Sequence, residues 1–137
     1  MKEFVWPVRV YYEDTDRGGV VYYANYLKFM ERARTEWMRS VGFEQDRLAS
    51  DPGIVFVVRS VGVDFLRPAV FNDLLRVRSR VAQAQRASLV FDQEILRMAG
   101  SDDPLCRGRV KVACVDADGF RPRPIPRMIL AEIVGDS

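Results

Sequence analysis

The sequence contains no histidine. That removes Ser-His-Asp and Cys-His catalysis, and with them any hydratase or dehydratase built on an Asp/His pair. It also removes every His-containing zinc site, and the only two cysteines, Cys106 and Cys114, cannot make a four-cysteine site, so no metal centre is expected. Two cysteines are too few for a disulfide framework. At strand spacing they fall on one face roughly 27 Å apart, too far to bridge. Long apolar runs are missing as well: the uninterrupted stretches are a few residues long, against the ~20 needed to span a membrane. The N-terminal MKEFVWPVRVYYED has no apolar core of the kind found in secretory leaders. Net charge is small, +2 from 21 basic and 19 acidic residues, and gives no electrostatic case for a nucleic-acid partner. A soluble, cytoplasmic protein is expected. Its acid–base chemistry must come from carboxylates, Tyr, Cys, Lys, backbone amides or water.

What is present is globular in composition: 48% hydrophobic and 29% charged over 137 residues, well away from the disordered class. At roughly 150 residues per domain the chain makes a single domain, 1–137, long enough to bury about 70% of its unfolded surface without staples.

Residues 4–13 (FVWPVRVYYE) read as a strand rich in Val and aromatics, with Pro7 suggesting an edge or a bulge. Residues 14–19 (DTDRGG) are turn chemistry. From Tyr22 the period changes: Tyr26, Phe29, Met30, Ala33, Trp37 and Val41 recur at three- and four-residue steps, predicting a helix over about 23–41 with Gly42 as its stop. A short helical turn is expected at 44–49. Strands follow at 54–66, 74–84, 88–97 and 105–116, and a short helix at 127–134 after the spaced prolines 122, 124 and 126. One long helix and about five strands predict an α+β protein with an antiparallel sheet packed on that helix. Short turns between strands favour hairpin pairing. A single helix leaves apolar sheet surface over, which implies a second copy of the chain.

Two constellations bear on chemistry. Glu13, Asp14 and Asp16 close a strand just before two glycines, Gly18 and Gly19, and a helix start. Helix N-terminal amides stabilise an oxyanion developing on a carbonyl, and a nearby carboxylate attacks that carbonyl or activates water against it. On spacing alone, an acidic turn before a helix is the commoner meaning of the same residues. The second constellation is basic: Arg76, Arg78 and Arg80 on one strand face, Arg107, Arg109 and Lys111 on another, and Arg86 with Ser88 at a strand start. Most such positions are solvated faces; two or three cations together also hold phosphates. Interleaved acidic residues and the absence of an RNA-binding motif argue against nucleic acid. The cysteines and the aromatic stripe Tyr26, Phe29 and Trp37 read as core.

The run RVYYEDTDRGGVVYYANYLKFMERARTEWMR resembles the 4-hydroxybenzoyl-CoA thioesterase family of hotdog-fold enzymes, most closely the acyl-CoA thioesterases encoded with the bacterial Tol–Pal system. The break Arg67-Pro68-Ala69, the strand ASLVF and the V-D-x-D-G turn before the prolines match as well, so the likeness runs through nearly the whole chain. It implies a five-stranded antiparallel sheet wrapped around one long helix, a homodimer or homotetramer with the active site at the subunit interface, and hydrolysis of acyl-CoA without a cofactor. It places the catalytic aspartate at Asp16, the carbonyl-polarising amide near Tyr23 and a cation for the CoA phosphates at Arg86. Gly18 and Gly19, which let a substrate approach the backbone, and Ser88 beside Arg86 complete the expected substrate-binding set. The Tol–Pal subgroup carries histidine where this chain has Tyr23, whereas the 4-hydroxybenzoyl-CoA enzymes carry tyrosine. Acyl carrier protein is the alternative carrier of the acyl group, and a non-catalytic acyl-CoA-binding or partner-binding module is the non-enzymatic alternative.

Overall fold

The computed structural model describes residues 2–135. The elements run β1 (Glu3–Arg9), α1 (Tyr23–Ser40), α2 (Gln45–Ser50), β2 (Ile54–Phe65), β3 (Leu74–Ala84), β4 (Ser88–Arg97), β5 (Cys106–Asp116) and α3 (Arg127–Ile133). The strands make one sheet in the order β1-β3-β4-β5-β2, with every adjacent pair antiparallel. This is the expected α+β arrangement. β3, β4 and β5 form consecutive hairpins, but β2 does not pair with β3. The chain breaks at Arg67-Pro68, β1 occupies the free edge of β3, and β2 lies instead along β5. Pro7 lies on the β1 edge, where its missing N–H costs no ladder bond.

α1 crosses one face of the sheet. Tyr26, Phe29, Met30, Ala33 and Trp37 are all buried there, as the periodicity requires; each large side chain so buried contributes ~1.5–3 kcal/mol. Gly42, at φ +97°, turns the chain out of the helix, its N–H donating to the Arg39 carbonyl. Cys106 and Cys114 are buried and unpaired, as expected of core positions. Between two apolar clusters lies a short polar row, Ser79 and Gln93, beneath the middle of the helix. The Gln93 amide donates to the Met30 carbonyl (3.0 Å) and the Ser79 hydroxyl oxygen (2.9 Å), and accepts from Arg34 (2.9 Å). The partner positions on β5 and β2 are Gly108 and Val63; a Cβ on Gly108 would meet the Met30 side chain at 2.8 Å, so glycine lets the helix lie close.

The opposite face of the sheet is charged but internally neutralised. Glu94 holds Arg78 (2.6 Å) and Arg107 (3.1 Å), Asp92 holds Arg109 (2.8 Å) and Arg80 (3.6 Å), and Asp102 pairs with Arg76. Five of the six strand cations are therefore a solvated, ion-paired face. Among the described residues no helix is long and apolar enough to cross a membrane.

Candidate active site

β1 ends at Arg9, short of the expected residue 13, because side chains capture the backbone that follows. The Asp14 carboxylate accepts the Tyr11 N–H at 2.8 Å and the Thr15 hydroxyl donates to the Tyr12 carbonyl at 2.9 Å, closing a single 3₁₀ turn over Tyr12–Asp14. The chain then makes a narrow hairpin. Thr15 bridges to Val21, the Asp16 N–H donates to the Val20 carbonyl (2.9 Å), and Arg17, Gly18 and Gly19 form the tip.

This geometry explains both glycines. Gly19 stands at φ +78°, and a Cβ on Gly18 would come within 3.2 Å of Asp16 Oδ1. The Gly18 N–H donates to that oxygen at 2.8 Å, which fixes the carboxylate at the mouth of the loop. Asp16 is exposed, and its Oδ2 has no protein partner among the described residues. The turn breaks the alternation of an extended chain: Asp14 folds back onto Tyr11 while Asp16 stays free.

α1 starts where the hairpin ends. Its N-cap, Tyr22, has extended backbone (φ −64°, ψ 130°) and makes no side-chain cap. The Tyr22 N–H donates to the Asp14 carbonyl (2.9 Å) and the Asn25 N–H to the Tyr22 carbonyl (2.8 Å). The amides of Tyr23 and Ala24 have no acceptor among the described residues, so they are open at the positive end of an 18-residue helix. The aromatic rings above them form a cluster. Tyr23, 58% exposed, meets Phe65 edge-on at 5.8 Å, Phe65 lies 5.7 Å from Tyr26, and Tyr22 lies 4.8 Å from Tyr23. The Tyr23 hydroxyl pushes the Tyr22 phenol above its ordinary range, so Tyr22 is no base near neutrality. Burial likewise raises the Tyr26 phenol, whose oxygen accepts the Ala69 N–H at 3.0 Å.

Asp16, Gly18, Gly19 and Tyr23 thus converge at one end of the sheet. Arg86 and Ser88 do not join them within the chain. Arg86 lies in the β3–β4 turn and Ser88 opens β4, at the far end of the 11-residue β3, and ~3.3 Å per residue separates the two ends by about 30 Å. There the Ser88 hydroxyl donates to Gln85 (3.0 Å), and Arg86 borders an open hollow of about 590 Å³ with Arg59, Ser60, Ser88 and Lys111. Arg59, Arg86 and Lys111 are in no ion pair among the described residues, unlike the strand cations beside them. Arg59 was not legible as a site residue. It is the extra residue of a β-bulge between Val58 and Ser60, and nothing in the sequence marks the bulge. Lys111 was legible only as one more strand cation.

The thioesterase superfamily profile matches residues 18–101. The chain belongs to the thioesterase superfamily. It is 43% identical over 128 residues to the acyl-CoA thioesterase YbgC of Haemophilus influenzae, covering 93% of this chain and 92% of that protein. A probable thioesterase from Bartonella henselae has a crystal structure that superposes with a TM-score of 0.84 at 36% identity, over 91% of this chain and 100% of that one. A 4-hydroxybenzoyl CoA thioesterase complexed with 4-hydroxybenzoyl CoA superposes with a TM-score of 0.87 over 97% of this chain and 99% of that one; at 21% identity it shows the shared fold. With its five-stranded antiparallel sheet and single long helix, this superfamily member has the α+β hotdog architecture.

Proposed function

We propose that the chain hydrolyses acyl-CoA thioesters to free acid and CoA. The observation that carries this reading is the pairing, on one continuous loop and helix, of a carboxylate with a free oxygen (Asp16) and two open amides (Tyr23 and Ala24). The amides stabilise the oxyanion that forms as the thioester carbonyl is attacked. Asp16 acts in one of two ways. As nucleophile it forms an acyl-aspartyl anhydride and expels the CoA thiolate, which takes up a proton; water then cleaves the anhydride. As general base it takes a proton from water as that water attacks, and the thiolate leaves with the proton. Both routes need the same carboxylate, and trapping an acyl-Asp16 species selects the first. Neither requires a cofactor or a metal. The Tyr23 ring shapes the mouth of the site, and its amide does the polarising.

The full site requires a second copy of the chain. Part of the helix-facing row of β2 is left uncovered: Ile54 is buried, but Val58, Val61 and Phe65 are 50%, 43% and 50% exposed on the edge strand of the sheet. Two β2 edges related by a two-fold axis in one continuous sheet pair antiparallel. That pairing lays the Phe65 end of one copy, with its Asp16 loop, beside the Ile54 end of the other. The partner's Arg59, Arg86 and Lys111 then approach the site from the far side, and the separation of about 30 Å within one chain no longer divides the machinery. A dimer of dimers is compatible with the same site.

Three unpaired cations suit CoA, which carries a pyrophosphate and a ribose phosphate, better than the single phosphate of an acyl carrier protein's prosthetic arm. A CoA-thioester substrate supports the cytoplasmic location expected of the protein. Release of free thiol from a panel of acyl-CoAs tests the activity, and a chain that binds them without releasing thiol is a binding module instead.

Arg86→Ala is expected to raise KM for acyl-CoA about tenfold with little change in kcat. A charge-assisted contact to a remote phosphate is worth ~1.5–3 kcal/mol and holds ground and transition states alike. Steady-state kinetics check this, and a loss confined to kcat would place Arg86 in another role.

A further inference from the structure

Asn25 is a buried polar side chain beside the proposed site, 8% exposed, in the first turn of α1. Asparagine is a poor helix former. Its side chain does not cap its own helix; the Nδ2 group reaches back and donates to the Asp14 carbonyl at 2.9 Å. That same carbonyl accepts the Tyr22 N–H, also at 2.9 Å. Both donors belong to the start of the helix, and the acceptor lies two residues before Asp16. Among the described residues the other ties are the Thr15–Val21 bridge, the Asp16 N–H to Val20 bond and the Gly19 N–H to Asp16 carbonyl bond, all inside the hairpin.

We infer that Asn25 is a positioning residue for the thioesterase reaction: its amide fastens the strand that carries Asp16 to the helix turn that carries the open amides of Tyr23 and Ala24. The inference rests on the reading of Asp16 and those amides as the reacting pair. The carboxylate and the oxyanion site belong to different segments, and their separation is set by what joins them. The Gly18 N–H orients the Asp16 carboxylate within its own loop, whereas among the described residues the Asp14 carbonyl bonds and the base of the hairpin fix that loop against the helix. A misplacement of about 1 Å between groups that act together costs up to ~10² in rate. CoA phosphates bound by remote cations do not sense it, so the loss falls on kcat.

The test compares Asn25→Asp, Asn25→Ser and Asp16→Asn with the wild-type protein, using thiol release from acyl-CoA, KM and thermal melting. Asn25→Asp keeps the shape and loses the donor; its kcat is expected to fall 10- to 100-fold, with KM within about twofold and a folded protein. Asn25→Ser keeps a donor on a shorter arm, and its kcat is expected to lie between that of Asn25→Asp and the wild type. Wild-type kcat in Asn25→Asp overturns the inference. So does a loss shared equally by both Asn25 variants in step with reduced melting temperature, since that is a purely structural role. Asp16→Asn separates the two levels of the argument. If it is inactive while Asn25→Asp turns over normally, the inference about Asn25 alone fails; if it retains near-normal turnover, the reading of the site itself fails.

Discussion

Asp16→Asn is expected to abolish most turnover while leaving a folded protein that still binds acyl-CoA. The carboxamide oxygen can accept the Gly18 N–H that now binds Asp16 Oδ1 at 2.8 Å, so the loop keeps its shape. The other position changes from a free carboxylate oxygen to an NH₂ group, which neither attacks a thioester carbonyl nor takes a proton from water. The chain has no histidine to take over. Losing a general base costs on the order of 10²–10⁴ in kcat, and losing a nucleophile more. Asp14→Asn is the control that the structure supplies. Its carboxylate is committed to the Tyr11 N–H, a bond that the carboxamide oxygen can replace, so the change should cost about 1 kcal/mol of stability or less and little rate. Thiol-release kinetics on both variants, with melting curves, check the pair. An inactive Asp14→Asn beside a near-normal Asp16→Asn would move the chemistry to Asp14.

The contrast between these two aspartates also marks what the sequence discloses. Local features were legible because local forces set them. The three- and four-residue spacing of Tyr26, Phe29, Met30, Ala33 and Trp37 gave the helix, which runs Tyr23–Ser40, and Pro7 gave an edge strand. Alternation gave β3, β4 and β5 together with their buried faces. Pairing across long separations was not legible. Arg78 and Glu94 are 16 positions apart and Arg109 and Asp92 are 17 apart, so an alternating strand shows that its cations face outward and says nothing of whether they are neutralised. The crossing of β2 to β5 and the bulge that presents Arg59 depend in the same way on contacts that no local pattern encodes. For the candidate site, the acidic residues Glu13, Asp14 and Asp16 and the glycine pair pointed to the loop. The tie from Asn25 to the Asp14 carbonyl spans 11 positions and becomes visible only once the loop has folded back on the helix.

Mixing two defective variants is expected to restore activity that neither shows alone. One is Asp16→Asn. The other carries Arg59→Ala, Arg86→Ala and Lys111→Ala together, and with the phosphate contacts gone its kcat/KM should fall on the order of 100-fold or more, each charge-assisted contact being worth ~1.5–3 kcal/mol. In the antiparallel β2 dimer a site takes Asp16 from one copy and the three cations from the other. A mixed dimer then has one doubly defective site and one intact site. At equal input and random association half of the dimers are mixed, so about a quarter of all sites are intact and the rate at low acyl-CoA concentration approaches about a quarter of wild type. If aspartate and cations served the same site from a single chain, no mixed dimer would contain an intact site, and the mixture would show only the average of its parents. The subunits are exchanged by co-expression or by refolding together, and light scattering confirms the oligomer. A monodisperse monomer at micromolar concentration overturns the arrangement, and so does a mixture that never rises above the parental average. The exposed row Val58, Val61 and Phe65 on the open edge of β2 is the reason to expect the dimer. The end-to-end placement of Asp16 and Arg86 is the reason to expect that it works in trans.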